Sequence, residues 1–177
     1  MKSVFRMSLV LLAVALACPG WGAKMSAAVP KGWGEDFEAA KKTAAAEGKL
    51  VFLAFSGSDW CGWCVKLERE VYAQPDFVEK AKARFVLTMI DNPRDEERLS
   101  DLAKQQNRAL TQRFGVRGFP CGMVCDAKGN VLGQIGGYVM GGPDEYLKRM
   151  LAFAPAAPSA AKDRKSKDNS AQPERKD

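Results

Sequence analysis

Apolar positions along this chain fall into two spacings, and each predicts a different kind of element. Leu50-Val51-Phe52-Leu53-Ala54-Phe55 and Phe85-Val86-Leu87-Thr88-Met89-Ile90 are short, nearly unbroken apolar runs. Each ends in a turn sequence, Ser56-Gly57-Ser58 and Asp91-Asn92-Pro93, so both read as buried strands. Helical spacing surrounds them. Residues 35–47 carry Phe37 and Ala40 on one side and stop at Gly48. After the first strand, Val65, Leu67 and Val71 interleave with Lys66, Glu68, Arg69 and Glu70 in a helix ending near Pro75, and 76–84 form a short helix. Residues 94–114 are charged beyond Pro93, with an expected apolar stripe at Leu99, Leu102 and Leu110, and predict one long helix closed by Gly115. A strand over 121–126, a turn at 127–130 and a returning strand over 131–135 make a hairpin, and 143–153 form the last helix. Strands alternating with helices predict an α/β fold: a mixed central sheet, helices on both faces, and the antiparallel hairpin at one edge.

The two ends do not belong to that pattern. Met1-Lys2-Ser3-Val4-Phe5-Arg6 precedes an apolar stretch over 7–17 that is too short to span a bilayer, the layout of a secretory signal. We expect a signal peptide over 1–23, cleaved somewhere between 17 and 28, with Ala15-Leu16-Ala17 supplying a small-x-small site. Cys18 leaves open a lipid-anchored alternative, and an uncleaved N-terminal anchor is another. Either way the expected location is outside the cytoplasm, periplasmic or otherwise extracytoplasmic, where disulfides persist. Residues 155–177 lack apolar periodicity and are expected to be a disordered charged tail, leaving one domain over 30–154.

The formal charge of +6 suggests nucleic acid until it is located. Lys2 and Arg6 account for two charges and residues 162–177 for two more, so the domain between has no basic face of the required strength. The chain contains no histidine. Cys-His and Ser-His catalysis, imidazole metal sites and covalent c-type haem are therefore excluded.

Trp60-Cys61-Gly62-Trp63-Cys64 is where the chemistry lies. Two thiols at this spacing fit within one helical turn, and Cys61 opens the helix, where unpaired N–H groups and the helix dipole favour a thiolate. Cys61 is thereby the expected nucleophile and Cys64 the resolving thiol; a static disulfide is the plainer alternative. A zinc site with Cys121 and Cys125 fails on geometry, because i and i+4 on a strand lie about 13 Å apart. Cys121, directly after Pro120, is either an auxiliary thiol or a small buried strand residue; Cys125 reads as the latter. Trp60 reads as packing, Trp63 as a partner contact, and Asp59 with the charged run over 66–70 as a solvated face. Met89, Met123 and Met140 make no copper cluster and read as core or loop residues.

With Gly118-Phe119-Pro120 ahead of the hairpin, this element order resembles the thioredoxin family, in particular its exported members carrying Gly-Ser-Asp-Trp-Cys-Gly-Trp-Cys, residues 57–64 here. The resemblance extends over 33–153 and implies the three-layer thioredoxin-like fold. It also implies an exposed nucleophile at Cys61, a buried partner at Cys64, and a cis-proline at Pro120 facing their disulfide with Phe119 in front. Backbone beside that proline would then hydrogen-bond an extended substrate, with Trp60, Gly62, Trp63, Phe119 and Pro120 as the substrate-binding set. Two positions depart from the family. Its buried central-strand aspartate is replaced by Ala54 or Phe55, leaving water, Glu68 or Lys66 to manage the Cys64 proton. Gly62-Trp63 stands where Gly-Pro is usual, so the redox potential does not carry over. The implied function is an exported, monomeric thiol-disulfide oxidoreductase exchanging disulfides with protein clients. It would use the Cys61–Cys64 disulfide and no other cofactor, be recharged by a protein donor such as a membrane redox partner, and run in a direction left open. The alternative is a non-catalytic module on the same scaffold that docks clients or holds Cu(I).

Overall fold

Strand β1 (Leu50–Ser56) explains the architecture, because it is buried on both faces and flanked on both edges. It pairs in parallel with β2 (Phe85–Asp91) and antiparallel with β3 (Cys121–Cys125), which turns back into β4 (Val131–Gly136), giving the order β2-β1-β3-β4. The computed structural model describes residues 29–155. The expected signal peptide, Cys18 and all but the first residue of the expected tail lie outside the described residues.

Alternation along β1 sends Phe52 and Ala54 to one face and Val51, Leu53 and Phe55 to the other. Both sets are covered, which is why the run reads as continuous rather than alternating. On the first face lie α2 (Gly62–Leu67), α3 (Pro75–Lys82) and α5 (Gly142–Ala152), contributing Leu67, Phe77, Ala81, Tyr146 and Met150. On the second lie α1 (Phe37–Glu47) and α4 (Asp101–Arg113), contributing Phe37, Ala40, Ala44 and Leu110. The three-layer mixed sheet with its hairpin edge is therefore as expected.

Local signals behave as the residues dictate at most ends. Asp36 caps α1 by accepting from the Ala39 N–H, and Gly48 ends it at φ +64°. Gly115, at φ +60°, closes α4 by donating to the Gln112 carbonyl. Two expectations need correction. The helix after Cys61 is not uniform: α2 passes into a π-helical turn over Glu68–Tyr72, and the wider turn lets both Val71 and Tyr72 reach the core. The single helix over 94–114 is also broken. Residues Glu96–Arg98 form a 3₁₀ turn, Leu99 is extended, and Ser100 restarts the chain as N-cap of α4 by accepting from the Ala103 N–H. Asn107 and Leu110 then face the sheet. Leu102, five residues before Asn107 and so roughly 140° around the helix, is 70% exposed and not part of the stripe.

Candidate active site

The turn from β1 into α2 is held by its neighbour across the sheet. Ser58 donates through both its N–H and its hydroxyl to the Asp91 carboxylate at the end of β2, at 2.9 and 2.6 Å. Asp59 accepts from the Arg94 and Asp95 N–H groups, both at 2.9 Å, and these bonds hold its carboxyl below the usual range. Trp60 Nε1 donates to the Asn92 carbonyl at 2.8 Å. The Trp60 indole lies directly on Gly57, where any Cβ would collide with it. Asp59, read as part of a solvated face, is thus fastened together with its neighbours Ser58 and Trp60.

That clamp delivers Cys61 to the N-cap of α2. Its Sγ accepts from the Cys64 N–H at 3.2 Å and is bonded to Cys64 Sγ, with Cα atoms 5.2 Å apart. Cys61 is 6% exposed and Cys64 2%. Cys61 is the more accessible of the two, but the expectation of an exposed Cys61 is not met in the disulfide form, where the bond draws its sulfur against the first turn of α2.

The other expected residues lie around Trp60 and Trp63, the sequence neighbours of the two cysteines. The Phe119–Pro120 bond is cis, and the Pro120 carbonyl accepts from the Gly137 N–H at 2.8 Å. Phe119 meets Trp60 edge to face at 5.4 Å between centroids. Gly62 is exposed at the first position of α2, and Trp63, 58% exposed, leans against Tyr138 at 5.4 Å. Trp63, Lys66, Phe119, Pro120, Tyr138 and Met140 line a groove of about 650 Å³ beside the disulfide. Cys121 does not join it. It lies in the cluster under α1 and α4, with Met123 and Cys125, while α2 covers the opposite face of the sheet. Burial raises the Cys121 thiol above its ordinary pKa and pushes Cys125 up to about 11, the marks of inert thiols.

Sequence reading overlooked a buried carboxylate beside the active-site turn. Asp91 is 3% exposed on the strand beside β1, in register with Ser56. Its place at the end of an apolar run made it look like a turn residue; only the pairing of β2 with β1 brings it under the Ser58 loop. Glu68 lies one helical turn beyond Cys64, to whose carbonyl its N–H donates. Desolvation, and then the Asp91 charge, raise the Glu68 carboxyl above the usual range. Lys66 turns elsewhere, its ammonium over the rings of Trp63 and Tyr138 at 5.3 and 4.7 Å. Tyr138 and Met140 were missed as groove residues because nothing local marks them; the Gly-rich segment after β4 carries them there. Among the described residues, no group of three or more Cys, Asp or Glu side chains could hold a metal ion.

Comparison with known proteins agrees with this fold. The family model described as a thioredoxin-like domain matches residues 37–154. The disulfide bond reductase DsbH of Chlamydia pneumoniae is 28% identical over 116 residues, covering 66% of this chain and 69% of that protein. The thioredoxin-related protein DsbJ of Chlamydia pneumoniae is 31% identical over 107 residues, 60% of this chain, and the match spans only 30% of DsbJ. A solved DsbH oxidoreductase structure superposes with a TM-score of 0.64 at 25% identity, covering 71% of this chain and 86% of that one.

Proposed function

The chain belongs to the thioredoxin-like domain family, and from that premise we propose that it is an exported thiol-disulfide oxidoreductase that reduces disulfides in protein clients. The observation that carries this reading is the Cys61 sulfur at the α2 N-cap, bonded to Cys64 and accepting the Cys64 N–H. Once the pair is reduced, the same N–H and the positive end of the helix favour the Cys61 thiolate. That thiolate attacks one sulfur of a client disulfide, and the other client sulfur leaves as a thiolate and takes up a proton. Cys64 then loses its proton and attacks Cys61, releasing the second client thiol and restoring the Cys61–Cys64 bond. The client gains two electrons and two protons, and the protein dithiol gives them up.

Glu68, raised by burial and one turn from Cys64, is suited to receive the Cys64 proton. Trp60, Gly62, Trp63, Phe119 and Pro120 form the surface on which the client lies. The reductase named among the relatives supports the reducing direction, and a donor protein recharges the dithiol, with no bound cofactor required. Export rests on the charged start and apolar stretch over residues 1–17.

The reduced Cys64→Ser variant, mixed with a disulfide protein such as insulin, should accumulate a mixed disulfide through Cys61, seen as a reducible band on gels. Cys61→Ser should trap nothing. No trapped species together with tight Cu(I) binding by the dithiol would overturn the reading in favour of a soft-metal module.

A further inference from the structure

Each exposed tryptophan beside the disulfide carries a cation on its face. The Lys66 ammonium lies over Trp63 and also over Tyr138, and the Arg94 guanidinium lies over Trp60 at 5.8 Å. Neither cation has a carboxylate partner within ion-pair distance among the described residues. The nearby Glu70 and Asp59 carboxylates stay charged but point their oxygens at other donors. Glu70 accepts from the Tyr138 hydroxyl and from Arg69, and both Asp59 oxygens accept backbone N–H groups. The groove itself is lined by aromatic rings, Pro120, Met140 and glycines, with Lys66 as its one charge and no carboxylate.

Such a surface is apolar in its floor and carries two cations without ion-pair partners, Lys66 and Arg94, at its margins. We infer that it selects client segments in which the reacting cysteine is flanked by a large apolar residue and by Asp or Glu. The apolar side chain fills the groove between Trp63, Phe119 and Met140, and the carboxylates meet Lys66 and Arg94. This inference rests on the exchange activity proposed above and specifies the chemistry of its substrate. Cations seated on rings suit the role, since the aromatic face fixes the ammonium or guanidinium without neutralising it. Because the two cations stand at different tryptophans, acidic groups on either side of the client cysteine are recognised.

The test uses the reduced protein and two short peptides, each with one cysteine blocked as its methyl disulfide beside a leucine, and flanked by glutamates in one and lysines in the other. Each turnover converts the protein dithiol to the Cys61–Cys64 disulfide and releases the peptide thiol and methanethiol, so atoms and electrons balance. Exposed ion pairs are each worth up to about 1 kcal/mol, so the acidic peptide should react roughly fivefold faster at low salt. The ratio should fall toward one in about 0.5 M salt, where charges are screened within a few ångströms. The double substitution Lys66→Glu with Arg94→Glu should invert the preference, and the ratio within each protein corrects for any change in its overall rate. Hydroxyethyl disulfide, small and neutral, separates the two levels of the reading. Equal rates for the two peptides, or a faster basic one, with hydroxyethyl disulfide still reduced overturn the inference and leave the oxidoreductase standing. No reduction of any of the three overturns both.

Discussion

Gly57→Ala isolates the contact that seats the active-site turn. No positive φ requires glycine at this position, so the backbone accepts alanine; the obstacle is the Trp60 ring, whose Nε1 would stand 2.6 Å from the new methyl. The indole must leave. It then loses its bond to the Asn92 carbonyl, its edge-to-face contact with Phe119 and the Arg94 guanidinium above it. These are worth about 1, 1 and 0.5 kcal/mol respectively at a partly exposed site. Alanine recovers about 0.5 kcal/mol by restricting the unfolded chain. The net cost is about 2 kcal/mol, or about 8 °C in Tm for a domain of this size. Urea unfolding of the oxidised protein, followed by far-ultraviolet circular dichroism so that the moved indole does not distort the signal, measures it. The decisive comparison is a double-mutant cycle. In a Trp60→Ala background the obstacle is gone, and Gly57→Ala should be neutral or stabilising by about 0.5 kcal/mol. An equal cost of about 2 kcal/mol in both backgrounds would refute the assignment of Gly57 to the Trp60 ring.

Asp91→Ala should destabilise the protein by about 2 kcal/mol, because the Ser58 N–H and hydroxyl lose their acceptor in a part-buried setting. Equilibrium unfolding checks this, and a cost below about 0.5 kcal/mol would mean that the clamp is not held by this carboxylate. Glu68 is raised by burial and by Asp91, so its folded pKa lies above its unfolded one. Its contribution is therefore complete below the ordinary glutamate range and is lost as pH rises through the raised value. Glu68→Gln should unfold at higher urea than the parent near pH 7 and at the same urea near about pH 3.5; no difference at neutral pH would contradict the raised carboxyl.

Much of the site was legible in the chain because its chemistry is local. The Cys61–Cys64 spacing, the helix that Cys61 opens and the glycine stops of α1 and α4 depend on neighbours within a few residues. So do the two apolar runs, whose continuity already required a sheet covered on both faces. Leu102 and the broken helix at Ser100 mark the limit of that reading. A leucine spacing resembles a stripe until the sheet chooses which side of α4 it will bury, and it chose Asn107 and Leu110.

What the sequence by itself determined is a dithiol at a helix start within an α/β order, since hydrogen bonding at a helix end and apolar periodicity are short-range properties. Tertiary structure alone decided what surrounds that dithiol. Pairing β2 against β1 put Asp91 beneath Ser58, alternation along β3 turned Cys121 and Cys125 to the far face, and the chain after β4 brought Tyr138 and Met140 beside Trp63. Those residues are far apart in sequence, and no local propensity links them. Their meeting depends on strand register and on which face each side chain takes, both of which are settled only when the sheet and its two helical layers pack together.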